Sequence, residues 1–268
     1  MGKADYSKEE LLAMNAKEFR SIVRRGEWTE VDINVCRGYA QANLAIVPKG
    51  CAFEFLLFCR RNPYPCPVLD VTEPGDPQPK LMAPDADLRT DLPRYRIYQD
   101  GKLIDEPTDI IKYWRDDLVA FLIGCSASFD WSLRAANVQF RLIGAYTSNI
   151  QCIPAGQFHG PMVVSCRLVR NGHDAVRAIQ ISSRLLMVHG PPVHIGDPAM
   201  IGIKDLYQPD MFSVGLVAPQ EPGEIAMWWG CGITPQTVAL ESKVPFMITH
   251  CPGHMFVTDR LTEELAVL

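Results

Sequence analysis

Residues 189–259 constrain the fold more than any other stretch of this chain. They read His189-Gly-Pro-Pro-Val-His194-Ile-Gly-Asp197, then Trp228-Trp-Gly-Cys231-Gly-Ile-Thr234-Pro-Gln236, then Thr249-His250-Cys251-Pro-Gly-His254-Met-Phe-Val-Thr-Asp259. Short apolar runs lead into Gly- and Pro-rich turns that carry His, Cys, Asp or Thr. This is the pattern of buried strands whose ends present polar side chains, and strand ends are where α/β proteins build sites. Four of the six histidines fall here.

Composition enters as a set of bounds. With 268 residues and 47% hydrophobic content, the chain can bury a full core in one large domain, or in a main domain with a small companion. A net charge of -5 argues against a nucleic-acid partner, which needs a basic face. No apolar run reaches the roughly 18 residues of a membrane span, and the charged first ten residues lack the apolar core of a signal peptide. A soluble, cytoplasmic protein is expected. The nine cysteines sit mostly in apolar runs and include no Cys-x-x-Cys pair, so buried free thiols are expected rather than disulfides or a zinc ribbon.

Taken in order, Ser7 and Glu10 form a capping-box pattern before a helix over 7–25. A second helix is expected from about Thr29 or Asp32 towards Ala45, and a third over 51–61. The proline-rich segment 62–67 is extended, 68–71 is a strand, and 72–93 is a long surface loop. Residues 94–106 alternate around Asp100-Gly101, a hairpin signal. A helix is expected over 107–122. The small-residue turn at Gly124-Cys125-Ser126 opens another, with amides that suit a carboxylate or phosphate. Segments 137–149 and 161–169 read as strands and 174–186 as an amphipathic helix.

Three chemistries fit these residues. His189, His194, His250 and His254 with Cys231, Asp197 or Asp259 could hold a divalent ion, although their spacing matches no strong zinc pattern. Cys231, between two glycines, could be a nucleophile beside a histidine, or a buried structural thiol. Histidines split into an acid and a base could move protons without covalent attachment, which suits loss or addition of water. No nucleophile elbow, Walker or dinucleotide-binding sequence is present.

The stretches 55–70, Gly124-Cys-Ser-Ala-Ser-Phe129, Asn149-Ile-Gln-Cys152-Ile-Pro-Ala-Gly156, His189–Pro198, Gly230–Gln236 and Thr249–His254 together resemble the putative hydro-lyase family. That family is similar to the cyclase domain of mitochondrial D-glutamate cyclase. The resemblance runs along nearly the whole chain. It implies an α/β fold: a three-layer α/β/α main domain, placed at 1–130 and 190–268, with an inserted two-layer α+β domain at 131–189. It also implies a carbon–oxygen lyase, with glutamate cyclisation to 5-oxoproline as the reaction behind the label. One departure stands out. Around 137–147 the family shows a short Pro-Met-Tyr-Arg-Thr run, whereas this chain is longer and more apolar there.

The expectation is therefore a hydro-lyase for a small amino or hydroxy acid. Its candidate catalytic residues are His189, His194, Cys231 and His254. Its candidate substrate-binding residues are Arg37, Gly124, Cys125, Ser126, Asn149, Arg167, Thr234, Gln236 and His250. The partner is a small-molecule carboxylate, with neither nucleic acid nor membrane, and a homodimer would be ordinary for this size. No metal site is assigned, and a divalent Mn or Mg ion is optional. The rival readings are a metal-assisted hydrolase using the same histidines, and a non-catalytic small-molecule-binding protein.

Overall fold

A computed structural model describes residues 6–215 and 218–267. In chain order its helices and strands are α1 (Lys8–Ala13), α2 (Ala16–Arg24), β1 (Tyr39–Pro48), α3 (Lys49–Arg61), β2 (Val68–Val71), β3 (Tyr95–Gln99), β4 (Lys102–Asp105), β5 (Leu118–Gly124), α4 (Ala127–Ala135), β6 (Phe140–Gln151), β7 (Pro161–Val169), α5 (Gly172–Ser182), β8 (His194–Ile195), β9 (Phe212–Ser213), β10 (Ile225–Gly230), α6 (Thr234–Glu241), β11 (Phe246–His250) and β12 (Phe256–Leu261). The fold is mixed α/β, with six α-helices and two sheets among the described residues. None of these helices is long and apolar enough to cross a membrane.

The first sheet runs β2-β5-β1-β11-β3-β4, with β12 also on β1; the second runs β8-β10-β7-β6-β9. The pairings within both sheets are antiparallel. Alternation along β1 sends its two sets of side chains to different places. Ala45 and Val47 join Phe55, Phe58, Phe121, Val164, Leu168 and Trp228 in the core shared by the two sheets. Ala42, Leu44 and Ile46 face the other way, under the segment that carries Met82, Leu88, Leu92 and Ile110. Helices α4 and α5 cover the second sheet through Phe129, Leu133, Ala175 and Ala178, packed on Met227 and Trp229.

Several local expectations hold. Ser7 Oγ accepts from Glu10 N at 3.2 Å while Glu10 accepts from Ser7 N at 2.8 Å. Helix α3 and strand β2 stand where they were read, and β3 and β4 turn at Asp100 and Gly101, both at positive φ. A Cβ at Gly101 would lie 2.7 Å from Lys243 Cα, so glycine is required by space as well as by φ.

Four expectations are overturned. The helix over 7–25 is two helices, because Asn15 caps a second start by accepting from Glu18 N at 3.0 Å. The helix towards Ala45 is instead β1: positive φ at Asn34 and Cys36 breaks the chain, and residues 40–47 are buried on both faces. Small alanines are compatible with either state, and burial between two layers decides for strand. The helix over 107–122 is a 3₁₀ turn at Ile111–Tyr113 followed by β5, whose seven residues are all buried. Finally, the 72–93 segment is no mere surface loop. Asp70 accepts from Leu81 N at 2.7 Å and Met82 N at 3.0 Å, and the buried side chains of Met82, Leu88 and Leu92 roof the first sheet.

Candidate active-site cleft

Where β5 ends and α4 begins, the chain passes the end of β10 and the 253–255 turn, and a cleft opens between the sheets. Its empty space, mouth included, is about 410 Å³, and the centre of a water-sized sphere fits within about 40 Å³ of it, so the cleft is narrow. Gly124 makes the crossing possible: a Cβ there would sit 1.9 Å from the Met187 carbonyl oxygen.

The floor is built by two periodicities. Ser165 and Arg167 are two apart on β7 and share one face; Ser126 and Asp130 are four apart at the start of α4 and share another. Arg167 Nε donates to Asp130 Oδ1 at 2.9 Å, Nη1 to Ser165 Oγ at 2.7 Å and Nη2 to Ser126 Oγ at 3.1 Å. The guanidinium is 4.7 Å from the Phe129 ring centroid and 5.4 Å from that of Trp229. Arg167 is 1% exposed and Asp130 is fully buried. Burial pushes the Asp130 carboxyl above its ordinary value, and the arginine's charge pulls it part of the way back. A guanidinium has five N–H bonds, so two remain without an acceptor among the described residues. Both serine oxygens already accept from Arg167 and lie 3.3 Å apart. One hydroxyl proton can join them, which leaves the other free to meet a ligand.

Cys125 and Cys231 line the same cleft. Burial pushes the Cys231 thiol up to about 11 and the Cys125 thiol higher still. Both are protonated near neutral pH, so they present S–H groups rather than thiolates. Asn43, from the middle of β1, lines the cleft and donates through Nδ2 to the Gly124 carbonyl at 2.6 Å. Thr234 braces the Cys231 turn: its hydroxyl donates to Cys231 O at 2.8 Å and accepts from Val163 N at 3.0 Å.

The histidines divide among several places. His189 is buried at φ 85°, with Nδ1 2.5 Å from the Tyr64 carbonyl, which fixes the proton on Nδ1. Its Nε2 has no hydrogen-bond partner among the described residues, and burial, aided by the charge of Arg167, lowers the pKa of the ring to about 4. His250 is also buried, with Nδ1 beside Leu44 N at 3.3 Å and Nε2 without a partner among the described residues; burial and the neighbouring His254 lower its pKa to about 3. Gln236 Nε2 donates to the His250 carbonyl at 2.8 Å, and its Oε1 accepts from Arg96. His254 lies between two residues of the cleft wall, Gly253 and Met255. Its Nδ1 is 3.0 Å from Pro252 O, and burial lowers its pKa.

The structure thus brings Ser126, Cys125, Arg167 and Cys231 together around the cleft, with Gly124, His189 and His254 adjoining. It does not bring in the others. His194 is on edge strand β8, with Nε2 2.9 Å from Asp197 O. Asn149 is exposed near the end of β6. Arg37 is exposed over the Trp131 ring at 5.9 Å, in a separate surface groove. Gln236 and His250 are framework for each other. Among the described residues, no group of three or more His, Cys, Asp and Glu side chains converges well enough to hold a metal ion, so no step is derived through one. Sequence reasoning missed Asp130, Ser165 and Asn43. Their signals were the i,i+4 and i,i+2 spacings to Ser126 and Arg167, and a lone amide within the apolar run of β1.

Comparison with known proteins adds three findings. Residues 119–259 match the family model described as D-glutamate cyclase. A protein of Geobacillus kaustophilus is 52% identical over 261 residues, covering 95% of this chain and 98% of its own. Relatives in Bacillus subtilis (51% identical, 95% and 100% covered) and Rubrobacter xylanophilus (49%, 95% and 99%) are similar throughout. All three carry the name putative hydro-lyase. A solved nitrogen repressor-like protein of Methanococcus jannaschii aligns over 87% of this chain and 91% of its own at 12% identity and a TM-score of 0.38, a level from which no common fold follows.

Proposed function

Since this chain belongs to the D-glutamate cyclase family and shares about half its sequence with proteins named putative hydro-lyase, we propose that it removes water from a small amino or hydroxy acid held by its carboxylate at Arg167. The observation that carries the reading is the buried guanidinium at the cleft floor, flanked by two serine hydroxyls whose oxygens it already engages. A planar fork with spare N–H bonds beside polarised hydroxyls is carboxylate-binding chemistry.

His254, flanked by the cleft wall, takes the proton from the substrate, since a histidine with a lowered pKa is unprotonated at neutral pH. His189 cannot donate from Nε2, because its proton is committed to Tyr64. The proton for the departing oxygen then comes from the Cys231 thiol. In the cyclisation of D-glutamate, the ammonium gives one proton to His254 and the amine attacks the side-chain carboxyl carbon. The departing oxygen takes a second proton from the nitrogen and one from Cys231, the carbon–oxygen bond breaks to release water and 5-oxoproline, and the His254 imidazolium returns its proton to the Cys231 thiolate. Holding the carboxylate contributes to rate by fixing a reactive conformer. The layered architecture with an inserted unit at 131–189 belongs to the same proposal: β6, β7 and α5 fall within those residues, and β8 to β10, which complete their sheet, follow them.

The test is to incubate the purified chain with D-glutamate and with a panel of small hydroxy acids, with and without Mn²⁺ or Mg²⁺. Formation of 5-oxoproline or of an unsaturated acid is then followed. Turnover that falls sharply in Arg167→Lys and His254→Gln supports the reading. Turnover indifferent to both, or none with any acid, would overturn it.

A further inference from the structure

The cleft's charge balance says which acids it can take. Arg167 is the one charged side chain among the described residues that line it, and behind it stands Asp130, whose carboxyl burial pushes towards its uncharged form. Its two spare N–H bonds and the adjacent serine hydroxyl satisfy a single carboxylate. A second carboxylate would enter without a cation. A substrate ammonium would meet no Asp or Glu in the lining: Asp130 is fully buried outside it, and burial pushes the carboxyl of Asp32, which accepts from Met255 N, well up towards its uncharged form. Unpaired charge in a narrow, largely apolar space is strongly disfavoured.

Apart from the Cys125 and Cys231 thiols, the rest of the wall is mainly hydrocarbon: Leu142, Ala145, Phe212, Ile233 and Met255. Asn43 supplies a polar exception. Its Nδ2 is engaged by the Gly124 and Ile123 carbonyls, which leaves Oδ1 to accept from an uncharged hydroxyl. The unusual segment 137–147 contributes Leu142, Gly144 and Ala145 to this wall, so its apolar character bears directly on what fits.

We infer that the cleft selects a hydroxy monocarboxylate with an apolar remainder, and discriminates against both the ammonium and the second carboxylate of D-glutamate. This rests on the reading that the cleft is the substrate site.

The experiment is calorimetric titration of the full chain with four matched acids. They are 2-hydroxy-4-methylpentanoate, D-leucine, 2-hydroxyglutarate and D-glutamate. The first should bind most tightly, with each introduced charge weakening Kd at least about tenfold. Leu142→Arg, which adds a cation to the apolar wall, should reverse the order between 2-hydroxy-4-methylpentanoate and 2-hydroxyglutarate. Equal or tighter binding of either dicarboxylate to the native chain overturns the inference, as does binding of none of the four. Arg167-dependent formation of 5-oxoproline from D-glutamate would overturn it while leaving water removal standing. The predicted order of binding with no loss of water from any acid would do the opposite.

Discussion

Replacing Arg167 by methionine probes the cleft floor most directly. The side chains of Arg167 and Asp130 are 1% and 0% exposed and meet at 2.9 Å. Methionine retains an apolar stem between the Phe129 and Trp229 rings but strips Asp130 of its cation. Breaking a buried pair from one side costs about 3–5 kcal/mol. Asp130 can relieve part of that by binding a proton, since burial already raises its carboxyl and Arg167 is what opposes the rise. The sign follows. An acid whose folded pKa exceeds its unfolded value of about 3.9 keeps a proton that the unfolded chain has released. Stability is then complete at low pH and falls as pH rises through the folded value, by up to about 1.4 kcal/mol per pH unit. Urea unfolding followed by circular dichroism should therefore show Arg167→Met losing most at about pH 8 and progressively less towards about pH 5. Adding Asp130→Leu should recover much of the loss, because removing both charges is close to neutral. A loss below about 1 kcal/mol at about pH 8, with no dependence on pH, would refute the picture of a desolvated pair.

Three further outcomes are expected. Burial lowers His189 to about 4, so its neutral form contributes stability above about pH 6.5 that is lost as pH falls towards 4, by up to about 1.4 kcal/mol per unit; His189→Asn, which tolerates the positive φ, should flatten this limb of a pH–stability curve, and an unchanged limb would count against it. Gly124→Ala places a Cβ 1.9 Å from backbone and should cost at least about 3 kcal/mol in urea unfolding, whereas Gly172→Ala, with open space around it, should change stability by less than about 1 kcal/mol; similar costs for both would show that the close approach at Gly124 is not real. With its thiol pushed up to about 11, Cys231 in the native protein should react with iodoacetamide at about pH 8 roughly a hundredfold more slowly than in the unfolded chain, as read by mass spectrometry; comparable rates would mean a thiolate at the cleft.

What was legible in the sequence was local. The Ser7–Glu10 capping box, the Asp100-Gly101 turn, the amphipathic α5 and the strand pair β6–β7 each carry their signal within a few residues. Strands β1 and β5 do not, because a strand buried on both faces has no alternation to show, and alanines or a charged lead-in make it resemble a helix. The cleft was half legible for a similar reason. Gly124 to Ser126 and Cys231 advertise themselves as turns, and Arg167 was named as a carboxylate partner. Yet Asp130 and Ser165 matter because of one guanidinium, and that relation exists only once α4 lies across β7. Arg37 and His194 had the right chemistry in the wrong place, which spacing along the chain cannot reveal.

The middle strand of the first sheet sets a timetable for synthesis. One edge of β1 is filled by β5, through Ala42↔Gly124 to Pro48↔Leu118. The other is shared end to end by the two last strands, β12 beside residues 39–42 and β11 beside 45 and 46. As the chain leaves the ribosome, that second edge has no native neighbour until some two hundred more residues are made, roughly ten to forty seconds at ordinary elongation rates. For that interval an apolar strand offers open backbone to any other nascent chain. A truncation before β11 would leave it so permanently, and the fragment would be a client for chaperones rather than a smaller folded protein.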